Sequence, residues 1–256
     1  MPFPVTIICE LLGVPFEDRA EFRGWSDQVM GTVGNDTPQA ALEGMTKLHA
    51  YFTALVAKRR AHPTDDLYSA LVAARDNDDR LSEDELVRFG ITLLVAGHET
   101  TANMLGNSVI TLLERPDAWQ RLLDDPAAVP GAVEELLRFV PLGSGAGFPR
   151  IATEDVQVGN AQVKEGDALL VVVSSANRDE SVYPNSGELD VDREVGQHMQ
   201  FGHGIHFCLG SQLARMELHV ALAAVLRRMP GLRLVEPVEF RKGSLVRGPI
   251  RLRVSW

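Results

Sequence analysis

The chain has 256 residues, 45% of them apolar and 23% charged, with a formal net charge of −10. That supports one large core or two modest ones, and the acidic balance weighs against a nucleic-acid partner, because phosphate contacts need a basic surface. No apolar run approaches the length of a membrane span, and Met1-Pro-Phe-Pro-Val-Thr-Ile lacks the basic start of a secretory leader, so a cytoplasmic protein with no membrane partner is expected. The two cysteines, Cys9 and Cys208, fit a reducing compartment, and no CxxC pair or zinc-type spacing accompanies them. Cys9 lies in the apolar stretch Ile7-Ile-Cys-Glu-Leu-Leu and reads as a core residue.

Residues 1–62 read as helices, with helical charge and apolar spacing from Glu17 to Val29 and again from Gln39 to Ala61. Gly31 to Pro38 has loop composition, and the basic Lys58-Arg-Arg60 suits a helix C-terminus. A short helix is expected from Asp66 to Arg75, then an acidic turn from Asp76 to Arg80. Ser82-Glu-Asp-Glu85 is a capping-box pattern opening a helix to about Glu114. Its middle, Ile91 to Gly97, is apolar nearly all round and belongs inside a fold. There sit Ala96-Gly97-His98-Glu99-Thr100-Thr101. A carboxylate and two hydroxyls are unfavourable in such a place without partners or water. Threonine hydroxyls bonding back to the preceding turn would kink the helix at Gly97. On the residues alone, Glu99 and Thr100 read either as capping a hydrated irregularity or as an acid–alcohol pair that relays protons.

Pro116 opens a further helix through Leu123. In Gly131-Ala-Val-Glu-Glu135-Leu-Leu-Arg138, Glu135 and Arg138 share one helix face and can pair. Pro141 to Pro149 is glycine-rich and irregular. Val156 to Val158, Gln162-Val163 and Ala168 to Val173 read as short strands. The segment Leu209 to Met229 reads as a helix, with Arg215, Arg227 and Arg228 available either as a solvated face or as a basic docking surface. The tail, Leu232 to Val235 and Ile250 to Trp256, alternates as strands do.

Just before that last helix stands Phe201-Gly-His-Gly-Ile-His-Phe-Cys208-Leu-Gly210. Its glycines let the backbone curl tightly enough to aim N–H groups at one atom, and the following helix start adds positive dipole. Both favour a thiolate, the form that ligates metal. A buried core cysteine is the plainer reading of Cys208. A cysteine hydrolase using His203 or His206 fares poorly, because the glycines leave no substrate groove.

The spacing Phe-Gly-x-Gly-x-His-x-Cys-x-Gly resembles the cysteine-ligand loop of the cytochrome P450 family. The resemblance extends in family order to the Ala96–Thr101 hexapeptide of the central helix, the Glu-x-x-Arg helix and the meander, where Leu189 replaces the family's usual aromatic. It implies a mainly α fold, the C-terminal portion of the P450 fold, with a long central helix and small β-sheets. Its parts would be peripheral helices at 1–81, the central helix at 82–114, helices with Glu-x-x-Arg at 116–140 and a small sheet at 141–175. A meander at 176–200, the cysteine loop and proximal helix at 201–229 and terminal strands at 230–256 would follow.

The resemblance implies haem b with Cys208 as axial ligand, where thiolate donation favours O–O cleavage. It implies that Phe201, Gly202, Gly210, Ala96 and Gly97 contact the haem, that Arg150 and His206 bind its propionates, and that Thr100 and Glu99 relay protons. Arg193 would join a buried Glu135–Arg138 pair in a structural role. The implied activity is monooxygenation of a small lipophilic substrate with electrons from a ferredoxin or flavoprotein reductase. Leu94, Val95, Leu142 to Phe148 and Leu245 would line its pocket, with Ser244-Leu-Val as the last substrate-contacting turn. The family's N-terminal third has no counterpart, which implies an open haem face, exposed apolar surface and weakened turnover. A catalytically silent, haem-binding or interaction remnant is the alternative.

Overall fold

The computed structural model describes residues 3–30, 37–78, 81–143, 149–241 and 246–256. The chain divides into two compact units, Met1–Ala102 and Asn103–Trp256.

The first unit contains α1 (Phe3–Leu11), α2 (Arg19–Met30), α3 (Pro38–Ala61), α4 (Leu67–Asp78) and the first part of α5 (Glu83–Leu113). Thr37 caps α3 by accepting the Ala40 amide at 3.2 Å, and Pro38 fills the first helical position, where a missing N–H is harmless. Residues 31–36 of the expected loop lie outside the described residues. The core gathers Val5, Ile8, Leu12, Phe22, Leu48, Phe52, Tyr68, Leu86 and Leu94. Phe52 bridges Phe22 and Tyr68, with ring centroids 5.5 and 5.3 Å away. Cys9 is fully buried, as its apolar setting implies, and burial pushes its thiol up to about 11 against the lowering influence of Arg19.

One turn in this unit is fixed by a buried ion pair. Arg59 reaches Asp66 at 2.8 Å and also donates to the Gly13 carbonyl. Gly13 has φ +69°, and any Cβ there would run into Asp66, so the position requires glycine. The expected acidic turn after α4 needs correction: Asp76 to Asp78 belong to the helix. Asp76 accepts from Arg60 at 2.7 Å and from Arg75 at 3.0 Å, which holds a turn that its residue types alone would not favour. The rest of the expected turn, Asp79 and Arg80, lies outside the described residues.

The Ser82–Glu85 box forms as expected. Glu85 N–H donates to Ser82 Oγ at 3.2 Å, and Ser82 N–H donates to Glu85 Oε2 at 2.8 Å. From there α5 continues unbroken for 31 residues. Thr100 Oγ1 donates to the Ala96 carbonyl at 2.6 Å, the expected back-bond, without interrupting the helix.

The second unit holds the rest of α5, then α6 (Pro116–Asp124), α7 (Val129–Phe139), α8 (Val173–Ala176) and α9 (Ser211–Arg228). Among the described residues its strands form three antiparallel pairs: β1 (Arg150–Ile151) with β4 (Ala168–Leu169), β2 (Val156–Val158) with β3 (Ala161–Val163), and β5 (Arg233–Leu234) with β6 (Val254–Ser255). Leu112, Leu122, Val133, Leu136, Leu218 and Leu222 anchor its core. The composition of 168–173 predicts a strand throughout, but only Ala168 and Leu169 pair. Leu170, Val171 and Val172 are 54%, 52% and 43% exposed, and Val173 begins α8. A buried strand needs both faces covered, and these three residues have no such cover.

Candidate functional site

The cysteine loop is built from two short turns at the foot of α9. Met199–Phe201 and Gly204–His206 each form one 3₁₀ turn. Gly202 and Gly204 both have φ +74°, a region that a side chain would strain. The two glycines bring the Cys208 amide back to the Phe201 carbonyl at 2.9 Å. The cysteine's own N–H is thereby committed to Phe201. The amides of Leu209, Gly210, Gln212 and Leu213 have no acceptor among the described residues, so the donors left at the helix start follow the cysteine. Cys208 itself is a free, partly exposed thiol.

Phe201 is held on several sides. The Arg215 guanidinium lies 4.5 Å from its ring centroid, and the His198 and Phe207 rings lie at 5.7 and 6.5 Å. Arg215 donates to both oxygens of Glu134, at 2.8 and 3.1 Å. Arg215 is therefore paired within the unit, whereas Arg227 and Arg228 are exposed. His198 Nε2 also meets Glu134, at 3.2 Å. Burial pushes the Glu134 carboxyl up, but the bonds from His198 and Arg215 outweigh it and bring it down to about 2.

Beside this network lies a buried triad. Glu135 takes two bonds from Arg138, both 2.7 Å, with both side chains fully buried. Arg138 donates onward to the carbonyls of Asn177, Ser186 and Glu188 at 2.7, 3.0 and 3.3 Å. Arg193 joins at 3.3 Å from Glu135, as the family resemblance implies. The triad pins the irregular segment after α8 to α7.

Sequence reasoning missed Glu134 and His198. Glu134 adjoins Glu135 on α7 and His198 stands three residues before Phe201, but Glu134's partners His198 and Arg215 lie 64 and 81 residues away in the chain. Arg150, in β1, and His206 are exposed, and their side chains make no hydrogen bond or ion pair among the described residues. Of the expected pocket lining here, Leu142 is half-buried against the core and Gly143 bridges Val246. Residues 144–148, 244 and 245 lie outside the described residues.

In the first unit, α5 presents His98 and Glu99 buried, Thr100 half-buried and Ala96 exposed. A Cβ on Gly97 would meet Ile8, at 3.5 Å. Burial holds the His98 imidazole below its ordinary range; Asp27 and Glu99 oppose that shift. Leu94 belongs to the core of this unit and is fully buried. Val95 is half-buried against the same core.

A family model described as cytochrome P450 matches residues 37–230. Nocardicin C N-oxygenase of Nocardia uniformis subsp. tsuyamanensis is 51% identical, over all of this chain and 65% of that protein. The mycinamicin IV hydroxylase/epoxidase of Micromonospora griseorubida is 46% identical, over 99% of this chain and 64% of its own length. The crystal structure of the LnmA cytochrome P450 hydroxylase from Streptomyces atroolivaceus S-140 superposes with a TM-score of 0.94 at 50% identity, covering 100% of this chain and 66% of that one. The chain belongs to the cytochrome P450 family. It spans somewhat less than two thirds of the curated relatives' length.

Members of this family carry haem b on a cysteine thiolate. The second unit has what such a group needs: a free thiol, apolar side chains to cover a flat macrocycle, and cationic or donor groups for its carboxylates. Ile205 and Leu209, on either side of Cys208 in sequence, are 98% and 76% exposed, and the side chains of Arg150 and His206 have no partner among the described residues. The residues fit the cofactor.

Proposed function

We propose that this chain is the cysteine-bearing portion of a haem-thiolate monooxygenase, which inserts one atom of dioxygen into a small lipophilic organic molecule. Bound haem supplies oxygen activation, driven by electrons from a ferredoxin or flavoprotein reductase. Cys208 binds the iron as its thiolate, with Phe201, Gly202 and Gly210 forming the surrounding loop. Arg150 and His206 take the propionates, as charge-assisted donors do. Ala96 and Gly97 are the α5 residues that would contact the haem. Thr100 accepts a hydrogen bond on its free lone pairs while its own proton rests on Ala96 O, and Glu99 next to it resupplies protons.

The observation that carries this reading is the Cys208 loop: an uncommitted thiol held by positive-φ glycines at a helix start. The names of relatives support the reaction class, because an N-oxygenase and a hydroxylase/epoxidase both add oxygen to organic molecules. Two free cysteines support a reducing, cytoplasmic setting. Among the described residues no helix is long and apolar enough to cross a membrane.

The test is isotopic. Haem-loaded protein, a reduced ferredoxin and a panel of small lipophilic compounds are incubated under labelled dioxygen. Products carrying one labelled oxygen are expected. Oxygenated products that carry no label, their oxygen coming from water, or no products across the panel while dioxygen is consumed, would contradict the proposal.

A further inference from the structure

Glu134 joins three parts of the second unit that are distant in sequence. It sits on α7, grips Arg215 on α9 through both oxygens, and meets His198 in the segment leading to the cysteine loop. The His198 ring has a defined tautomer. Its Nδ1 accepts the Gln200 amide at 3.2 Å, so that nitrogen carries a lone pair and Nε2–H is the one donated to Glu134. Both groups held by this carboxylate lie against the Phe201 ring, Arg215 at 4.5 Å and His198 at 5.7 Å. The turn is tied from a further side, where the Met199 amide donates to Asn177 Oδ1 at 2.7 Å. Phe201, so fixed, offers the carbonyl that receives the Cys208 amide at 2.9 Å. Asn177 is shared with the triad, since its carbonyl accepts from Arg138; the other links leave the Glu135–Arg138 ion pair aside, although Glu135 is the next residue.

We propose that Glu134 is a positioning residue for the metal-binding cysteine: through His198 and Arg215 it locks the Phe201 ring, and the Phe201 carbonyl in turn sets the position of Cys208. The inference rests on the reading of Cys208 as the axial ligand. A side chain this well ordered is pre-organisation, which stabilises one loop geometry over the others that the two glycines allow. Without the carboxylate, Arg215 and His198 lose their common anchor, and the loop from Phe201 to Cys208 gains freedom.

The test has two readouts on the full chain. In the haem-loaded protein, the Soret band of the reduced carbon monoxide complex distinguishes thiolate from neutral-thiol ligation. In the haem-free protein, the rate at which a thiol alkylator modifies Cys208 reports loop freedom, with buried Cys9 as internal reference. Glu134→Ala should lower the thiolate fraction severalfold and speed Cys208 alkylation severalfold. Glu134→Gln, which keeps one acceptor oxygen, should lie between it and wild type. Arg121→Ala, which removes an exposed ion pair with Asp192 in the same unit, should change neither. A folded Glu134→Ala protein with wild-type band ratio and alkylation rate overturns the proposal. Should Glu134→Ala not fold, the same comparison is made on Glu134→Gln and His198→Gln, where unchanged readouts overturn it equally. A wild-type protein with no thiolate band defeats the Cys208 reading itself, a result distinct from any loss confined to the Glu134 variants.

Discussion

Arg138 is the residue whose loss the fold should tolerate least. Arg138→Leu would leave Glu135 buried opposite only Arg193, and breaking a buried pair in this way costs on the order of 3–5 kcal/mol. The expected outcome is a large fall in the urea midpoint; a shift under about 1 kcal/mol would contradict the account of the triad. Glu217 presents the reverse case. It is buried on α9, its Oε2 has no hydrogen-bond partner among the described residues, and burial pushes its carboxyl up to about 7. A carboxyl raised on folding favours the folded state while protonated, and that advantage is lost as pH rises from about 4.5 through 7. Glu217→Gln should therefore flatten the decline in stability over that window, on the order of 3 kcal/mol in full; an undiminished decline would show that other groups cause it. The i,i+3 spacing made the Glu135–Arg138 pair legible in sequence, whereas Arg193 came only through the family resemblance. The Glu134 contacts were not legible, because nothing local to α7 says which residues from α9 and the cysteine loop will meet it.

Among the elements, α5 was the most legible. Its start is written in the reciprocal Ser82–Glu85 bonds, and Ser82→Ala should destabilise the first unit by about 1 kcal/mol, seen as a lowered thermal midpoint. No change would mean that packing alone sets the helix start. The short strands were less legible. Val156–Val158 and Ala161–Val163 pair across a turn at Gly159, φ +58°, and so obey local rules. The run 168–173 has a strand's composition but lacks a neighbour for residues 170–172, and β-propensity without a partner does not make a strand. The acidic end of α4 failed in the opposite direction, because Arg60, from α3, stabilises a turn that its own residues do not.

At the scale of the whole molecule, the chain carries two cores and matches cytochromes P450 along its full length while covering 65% of the first relative. The family was legible because its motifs keep their order and spacing over long stretches, so that one cysteine gains meaning from residues a hundred positions away. The exposed Leu170 to Val172 and the apolar side chains around Cys208 mark surface that burial would stabilise. The central claim is that the Cys208 sulfur binds haem iron as a thiolate. It is tested most directly by the reduced carbon monoxide spectrum of the haem-loaded protein beside that of Cys208→Ser. The account predicts a thiolate-type Soret band in the wild type that disappears in the variant; the same band in both proteins, or its absence from the wild type, would contradict it.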